Sequence, residues 1–274
     1  MASEYSHIIR ETSMKRKTKE QTPTPAQPHE TPLQGFASLC GTFALGLFVM
    51  TFVFQNFAIP SASMASTLLI GDHVLVERAT LAPPDSLAHF MPYRELHRGE
   101  PIVFYKPVVD PDGEHTILVK RVIGIPGDRI HLRRGIVYLN GVAQNEPYAA
   151  KPAYANYDPY RDDFPSIPPA RGSNVTAEWS LDLPTHIQGK DLVVPPGSYF
   201  VMGDNRTNSL DGRYWGLVPR SNLIGRPLFV YWSFETPQDQ MYKTSPSEQA
   251  SFALHEIVHF FDQTRWRRTF HRVE

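Results

Sequence analysis

From Thr31 to Gly71 the chain carries no Asp, Glu, Lys or Arg, and inside that run Phe36 to Phe54 is a stretch of 19 mostly apolar residues. As a helix rising ~1.5 Å per residue, the stretch is about 28 Å long, close to the thickness of a bilayer's hydrocarbon core. It is therefore either a retained anchor or a secretory signal that is removed. Ala62-Ser63-Met64-Ala65 has the small-x-small look of a cleavage site. Yet the apolar run exceeds the roughly 7 to 15 residues of a signal's apolar region, and the segment before it is long and charged. A retained transmembrane anchor over residues 35–57 is the expectation. Lys15, Arg16, Lys17 and Lys19 precede the span, whereas the first basic residue after it is Arg78. By the positive-inside rule the N-terminus lies in the cytoplasm, and everything after residue 57 lies on the outer side of the cytoplasmic (inner) membrane.

Residues 1–34 are polar, rich in Thr, Pro and Gln, and without a periodic apolar face, which predicts a flexible cytoplasmic tail. With 41% apolar and 12% aromatic residues, the 274-residue chain can bury a substantial core. Its net charge of -1 gives no general attraction to nucleic acid, which is not expected as a partner. Cys40 is the single cysteine, so no intrachain disulfide and no thiolate metal cluster can form.

Beyond the span, residues 58–237 read as mainly β, an antiparallel β-sheet or barrel-like catalytic domain. Val74–Glu77, Ile102–Tyr105, Thr116–Ile125, Arg129–Leu132, Ile136–Leu139, Tyr199–Met202 and Leu228–Ser233 are short apolar runs between Gly and Pro punctuation. Asn140-Gly141 signals a hairpin and Ile125-Pro126-Gly127-Asp128 a tight turn. Residues 146–190 are rich in Pro, Tyr and Asp and lack periodicity, so they read as a loop-rich insertion. In the 238–274 extension, Ser245-Pro246-Ser247-Glu248 can start a helix on which Leu254, Ile257, Val258 and Phe261 recur at helical spacing. This C-terminal amphipathic helix, followed by Arg265, Trp266, Arg267 and Arg268, either lies on a membrane surface or docks on the domain.

Two hydroxyls two residues apart, in Ile59-Pro60-Ser61-Ala62-Ser63-Met64, stand where the chain leaves the bilayer. A serine hydroxyl needs a base within hydrogen-bond reach and donors for the oxyanion it creates. The strand candidate Thr116–Ile123 carries Lys120 and Arg121 in its middle with apolar residues on both faces. Either both cations snorkel to the rim, or one is buried; burial lowers a lysine pKa and makes the neutral amine a general base, which arginine cannot become.

Four blocks in order resemble those of bacterial type I signal peptidases (leader peptidases), membrane-anchored serine proteases with a Ser-Lys dyad. The blocks are Ile59–Met64, Arg98-Gly99-Glu100 with Val103-Phe104, Lys120–Asp128 and Gly203–Gly216. Ser66 stands where the family usually has Pro, and Gly212 where it usually has a small polar residue. The resemblance implies Ser63 as nucleophile and Lys120 as base. It further implies Ser61 with the Ser63 N–H as oxyanion hole, Ser209 as the hydroxyl orienting the amine, and Asp211 with Arg213 as a supporting ion pair. Phe57, Ile59, Met64, Leu68, Leu118 and Val119 would line shallow pockets for the small side chains of an Ala-x-Ala cleavage site. Preprotein signal peptides and membrane lipid are the implied partners, and no cofactor or metal is implied.

Two other readings stay open. His255-Glu256-Ile257-Val258-His259 matches the H-E-x-x-H pattern of zinc proteases, although only His271 and Glu274 follow as downstream ligand candidates. The chain could also be a non-catalytic anchored β-module that binds exported chains.

Overall fold

The computed structural model describes residues 31–81, 94–110, 112–150, 156–170, 173–240, 243 and 245–274. The basic cluster at 15–19 and most of the N-terminal tail lie outside the described residues. The chain divides into two compact units, Met1–Leu45 and Gly46–Glu274.

Helix α1 spans Pro32–Phe48 and passes into a π-helical turn, Val49–Val53. Together Pro32–Val53 is a 22-residue apolar helix with none of its apolar window buried, about 33 Å long and sufficient to cross a membrane. Thr42 on this helix donates its hydroxyl back to the Ser38 carbonyl at 2.9 Å, a bond within the helix that needs no water.

The second unit is built of antiparallel strands. In chain order they are β1 (Phe54–Ala58), β2 (Asp72–Glu77), β3 (Pro101–Tyr105), β4 (Ile117–Gly124), β5 (Arg129–Arg133), β6 (Ile136–Leu139) and β7 (Val142–Ala143). They continue with β8 (Ile187–Gln188), β9 (Asp191–Val193), β10 (Ser198–Met202), β11 (Val218–Pro219), β12 (Leu223–Ser233) and β13 (His271–Arg272). The larger sheet runs β1-β2-β12-β3-β4-β10-β11, a curled sheet left open at β1 and β11; the smaller runs β7-β6-β5-β9-β8. The β6–β7 hairpin turns on Asn140 and Gly141, both at positive φ (51° and 85°), as a two-residue turn matched to strand twist requires. Gly127, at φ 89°, closes the β4–β5 turn, where the Asp128 N–H meets the Ile125 carbonyl at 3.0 Å.

One sequence expectation is corrected. The anchor assigned to 35–57 stops being helical at Val53, because Phe54–Ala58 pairs residue by residue with β2, from Phe54↔Glu77 to Ala58↔His73. The 146–190 segment, expected to be a loop-rich insertion, carries among its described residues the short helices α2 (Pro159–Asp162) and α3 (Ala177–Asp182). Its Tyr160, Phe164, Trp179 and Leu183 are buried against Ile130, Leu132, Leu192 and Phe200, so the insertion supplies one side of a core. Phe164 stacks on Phe200 with ring centroids 5.6 Å apart. A second cluster joins Ile59, Met64 and Leu68 to Val74, Val103 and Val230, and a third joins Ile102, Phe104 and Val122 to Val201 and Trp215.

Two further helices complete the unit, α4 (Gly212–Trp215) and α5 (Pro246–Val258). The basic run after α5 forms a 3₁₀ turn, Trp266–Arg268, and the chain then enters β13, which pairs with β12 at Phe229↔Arg272 and Val230↔His271.

Candidate active site

The backbone stays extended through Ser61, and Ala62–Met64 then forms a single 3₁₀ turn that carries Ser63. The loop is pinched at its base, where the Ile59 N–H donates to the Asp72 carbonyl at 2.8 Å and the Gly71 N–H to the Ile59 carbonyl at 3.0 Å. Met64 and Leu68 fill its interior, so the turn is held by burial as well as by hydrogen bonds.

Strand β4 brings Lys120 to this turn. Its Nζ lies 2.8 Å from Ser63 Oγ and donates to the Val119 carbonyl at 3.0 Å. Ser61 Oγ lies 3.3 Å from Ser63 Oγ. Only 3% of Lys120 is exposed, which removes the water that would stabilise an ammonium. Burial pulls its pKa from 10.5 down to about 8, against the opposing fields of Asp211 and Asp204.

The neighbouring Arg121 is buried too, and differently served. Its Nε and Nη2 donate to the two carboxylate oxygens of Asp204 at 2.8 and 2.7 Å, and its Nη1 donates to the Gly99 carbonyl at 2.6 Å. Neither cation snorkels to the rim. Arg98 ties the strand's far end by a two-pronged bond to Asp128, at 2.7 and 2.6 Å.

The 203–216 segment closes over the turn. Asn205 donates from its backbone N–H to the Ser63 carbonyl at 3.0 Å and from Nδ2 to the Ala62 carbonyl at 3.2 Å. These bonds fix the peptide planes on either side of Ser63. Gly203 makes the approach possible: a Cβ there would stand 2.5 Å from the Ser63 carbonyl oxygen and 2.2 Å from Ser209 Oγ. Asp211 and Arg213 meet through both oxygens at 2.8 Å, fully buried, and Asp211 also accepts the Gly203 N–H at 3.0 Å. Burial alone would raise the Asp211 pKa, but Arg213 and the Gly203 N–H hold it below its ordinary value. The insertion braces the same segment, since Tyr160 Oη and Trp179 Nε1 both donate to the Arg213 carbonyl, the latter at 3.1 Å.

The expected bond between Ser209 and the Lys120 amine is not made. The amine spends its contacts on Ser63 and Val119, and the Ser209 hydroxyl is buried without a partner among the described residues. Of the expected pocket residues, Ile59, Met64 and Leu68 cluster with Phe57 and Val119 beside the turn; Leu118 instead packs with the Ile102, Phe104 and Val122 cluster. Asn205 and Gly203 had no assigned role, because bonding to a distant backbone carbonyl leaves no spacing signal; a glycine opening a polar loop is the one trace.

The H-E-x-x-H residues lie on α5 and just beyond it. His255 bonds Gln263 at 2.9 Å and His259 bonds Asp262 at 2.9 Å. Among the described residues, no group of three or more His, Cys, Asp and Glu side chains comes together in a way that could hold a metal.

Comparison with known proteins adds a decisive match: the family model for signal peptidase, peptidase S26, covers residues 34–232. The chain belongs to this signal peptidase family. A probable signal peptidase I-2 from Synechocystis sp. is 30% identical over 227 residues, 82% of this chain and 81% of the relative. A signal peptidase I from Leptolyngbya laminosa is 32% identical over 222 residues, covering 77% and 88% of the two chains. A crystal structure of a signal peptidase I from Enterococcus faecalis V583 shares 30% identity, with a TM-score of 0.32, over 48% of this chain and 97% of that one. As a signal peptidase family member, the chain is a hydrolase.

Proposed function

We propose that the chain is a membrane-anchored serine endopeptidase that cleaves signal peptides from exported preproteins with a Ser63–Lys120 dyad. The observation that carries this is the buried amine 2.8 Å from the Ser63 hydroxyl. Uncharged, Lys120 takes the proton from Ser63 as Oγ attacks the scissile carbonyl. The Ser63 N–H and the Ser61 hydroxyl receive the oxyanion, and the Lys120 ammonium then gives its proton to the leaving amine. Water, activated by the same amine, releases the acyl group.

Phe57, Ile59, Met64, Leu68 and Val119 offer a shallow apolar wall for the small residues of an Ala-x-Ala site, with Leu118 outside it. The Pro32–Val53 helix serves as the anchor in membrane lipid, with the residues before it on the cytoplasmic side and 58–237, the peptidase domain, on the outer side. Ser63 lies ten positions after Val53, a reach of at most ~36 Å, which keeps the nucleophile within that distance of the bilayer from which a signal peptide is presented. No cofactor or metal enters the scheme.

The test is cleavage of a purified preprotein in detergent by wild type, Ser63→Ala, Lys120→Ala and Lys120→Arg, each with and without a chelator. All three variants are expected to be inactive and the chelator without effect. Turnover by Lys120→Arg would overturn the base assignment, since a guanidinium accepts no proton. Chelator-sensitive turnover by Ser63→Ala would return the case to the histidines of α5.

A further inference from the structure

The residues after 232 lie beyond the matched family region, yet their last ten return to the nucleophile's own loop. Arg268 Nη2 donates to the Thr67 carbonyl at 3.0 Å and pairs with Asp72, to which its Nε also donates at 3.2 Å. Arg265 donates to the carbonyls of Ile70 and Phe234. Asp72 is fully buried and accepts Ser233 Oγ at 2.6 Å and the Leu69 N–H at 2.8 Å, so Arg268 completes a closed set of bonds around it. Val273 is 8% exposed and packs in the cluster of Ile59, Met64 and Leu68. The Glu274 carbonyl accepts Arg121 Nη2 at 3.0 Å, the same nitrogen that reaches Thr67 Oγ1 at 3.1 Å. β13 pins this segment to β12.

Thr67 and Asp72 are the outer limb of the loop that is pinched at Ile59 and carries Ser63. We propose that Arg268 is a positioning residue for peptide-bond cleavage. The segment Arg265–Glu274 acts as a strap whose guanidinium fixes the Thr67–Asp72 limb, and through the buried Met64 and Leu68 the position of Ser63 Oγ against the Lys120 amine. This rests on the reading of Ser63 as nucleophile. A strap of this kind works on the reaction more than on substrate capture, because a small drift in the angle of the hydroxyl costs the reaction far more than the same drift costs contact with a shallow apolar wall.

The experiment uses the full chain in detergent, a preprotein substrate, and the variants Arg268→Gln, Arg268→Lys and Ser63→Ala. Arg268→Gln is expected to lower kcat per folded molecule about tenfold, part of the ~100-fold that a misplacement of about 1 Å costs, with KM within about twofold. Arg268→Lys keeps a cation for Asp72 but cannot span Asp72 and the Thr67 carbonyl with one fork, so its kcat lies between, about threefold down. A purely structural arginine would lower the melting temperature and yield and leave kcat per folded molecule unchanged, and that result overturns the proposal. Should Arg268→Gln not fold, Arg268→Lys decides the matter through hydrogen exchange. Faster exchange confined to amides 64–71 together with a lower kcat supports the strap; unchanged exchange and kcat refute it. If Ser63→Ala remains active, the nucleophile assignment itself falls, which is distinct from a dead Ser63→Ala alongside a fully active Arg268→Gln.

Discussion

Replacing Lys120 by Met should abolish cleavage and make the protein more stable at neutral pH, with an advantage that fades as the solution becomes alkaline. The gap between the ordinary lysine value of 10.5 and about 8, at 1.36 kcal/mol per pH unit, is roughly 3 kcal/mol. Below pH 8 the amine is charged in both the folded and the unfolded chain, and the folded state bears the full cost of a buried ammonium. Between pH 8 and 10.5 the folded chain has released the proton while the unfolded chain keeps it, so unfolding takes up a proton and wild-type stability rises with pH. Above pH 10.5 both states are neutral and the cost is gone. Lys120→Met has no such proton to lose, and it gives up contacts with Ser63 and Val119 that change little with pH.

The measured quantity is the difference in unfolding free energy between the two proteins, from urea titrations of the detergent-solubilised chain at pH 7, 8, 9 and 10. Taking the difference cancels every other titrating group. It should close by roughly 2.5 kcal/mol across the range, most of it between pH 8 and 10. Wild-type kcat/KM should rise about tenfold from pH 7 to pH 9 with an apparent pKa near 8, as the neutral fraction grows from about a tenth to about nine tenths. A difference that stays flat with pH would show that Lys120 is not desolvated in the folded chain, and the base assignment would lose its physical ground.

Other outcomes are as direct. Ser61→Ala should lower kcat by about a hundredfold with little change in KM, read in steady-state cleavage, since an oxyanion donor is worth on the order of 3 kcal/mol. Gly212→Ser, which restores a small polar residue, should destabilise by roughly 1 to 3 kcal/mol in thermal unfolding. Its Cβ would come within 2.8 Å of the Val201 carbonyl oxygen and 3.0 Å of the Phe200 ring. Phe164→Ala should cost about 3 to 5 kcal/mol, because the ring is fully buried against Phe200, and would show in the melting temperature that the insertion is core.

The strands legible in the sequence are those whose apolar residues are bounded by turn chemistry: β6 falls on Ile136–Leu139 as expected, and the Asn140-Gly141 hairpin with it. β1 was hidden because its residues run on from the apolar helix without a break in hydropathy, and only Gln55 and Asn56 hint that the apolar run has ended. The insertion's contribution was hidden for another reason. Tyr160, Phe164 and Trp179 follow no period, since each is placed by a tertiary contact and not by a repeating backbone. The serine and the lysine were legible only through ordered blocks, for nothing in spacing alone joins residues 57 apart in sequence. Arg268 read only as part of a basic run that either lies on a membrane surface or docks on the domain; its acceptor Asp72 lies 196 residues away.

The same contrast explains how two adjacent cations on one strand come to different ends. Lys120 and Arg121 are almost equally buried, at 3% and 1% exposure, so desolvation by itself cannot distinguish them. Pairing does. Arg121 faces a carboxylate with both prongs of its fork, and the Tyr148 ring lies 3.9 Å from its guanidinium carbon, so its charge is matched where it sits. Lys120 is given a hydroxyl and a backbone carbonyl, while Asp211 turns its oxygens to Arg213 and Asp204 turns its own to Arg121. The carboxylates near the amine act on it only as a field, enough to leave its pKa near 8 and too little to keep the proton bound throughout the working range. Neutralising Asp204 would therefore do two things at once: strip Arg121 of its counter-charge and lower the lysine pKa further. Asp204→Asn should shift the alkaline rise of kcat/KM to lower pH while destabilising the fold, and a rise that does not move would mean that the field of Asp204 never reaches the amine.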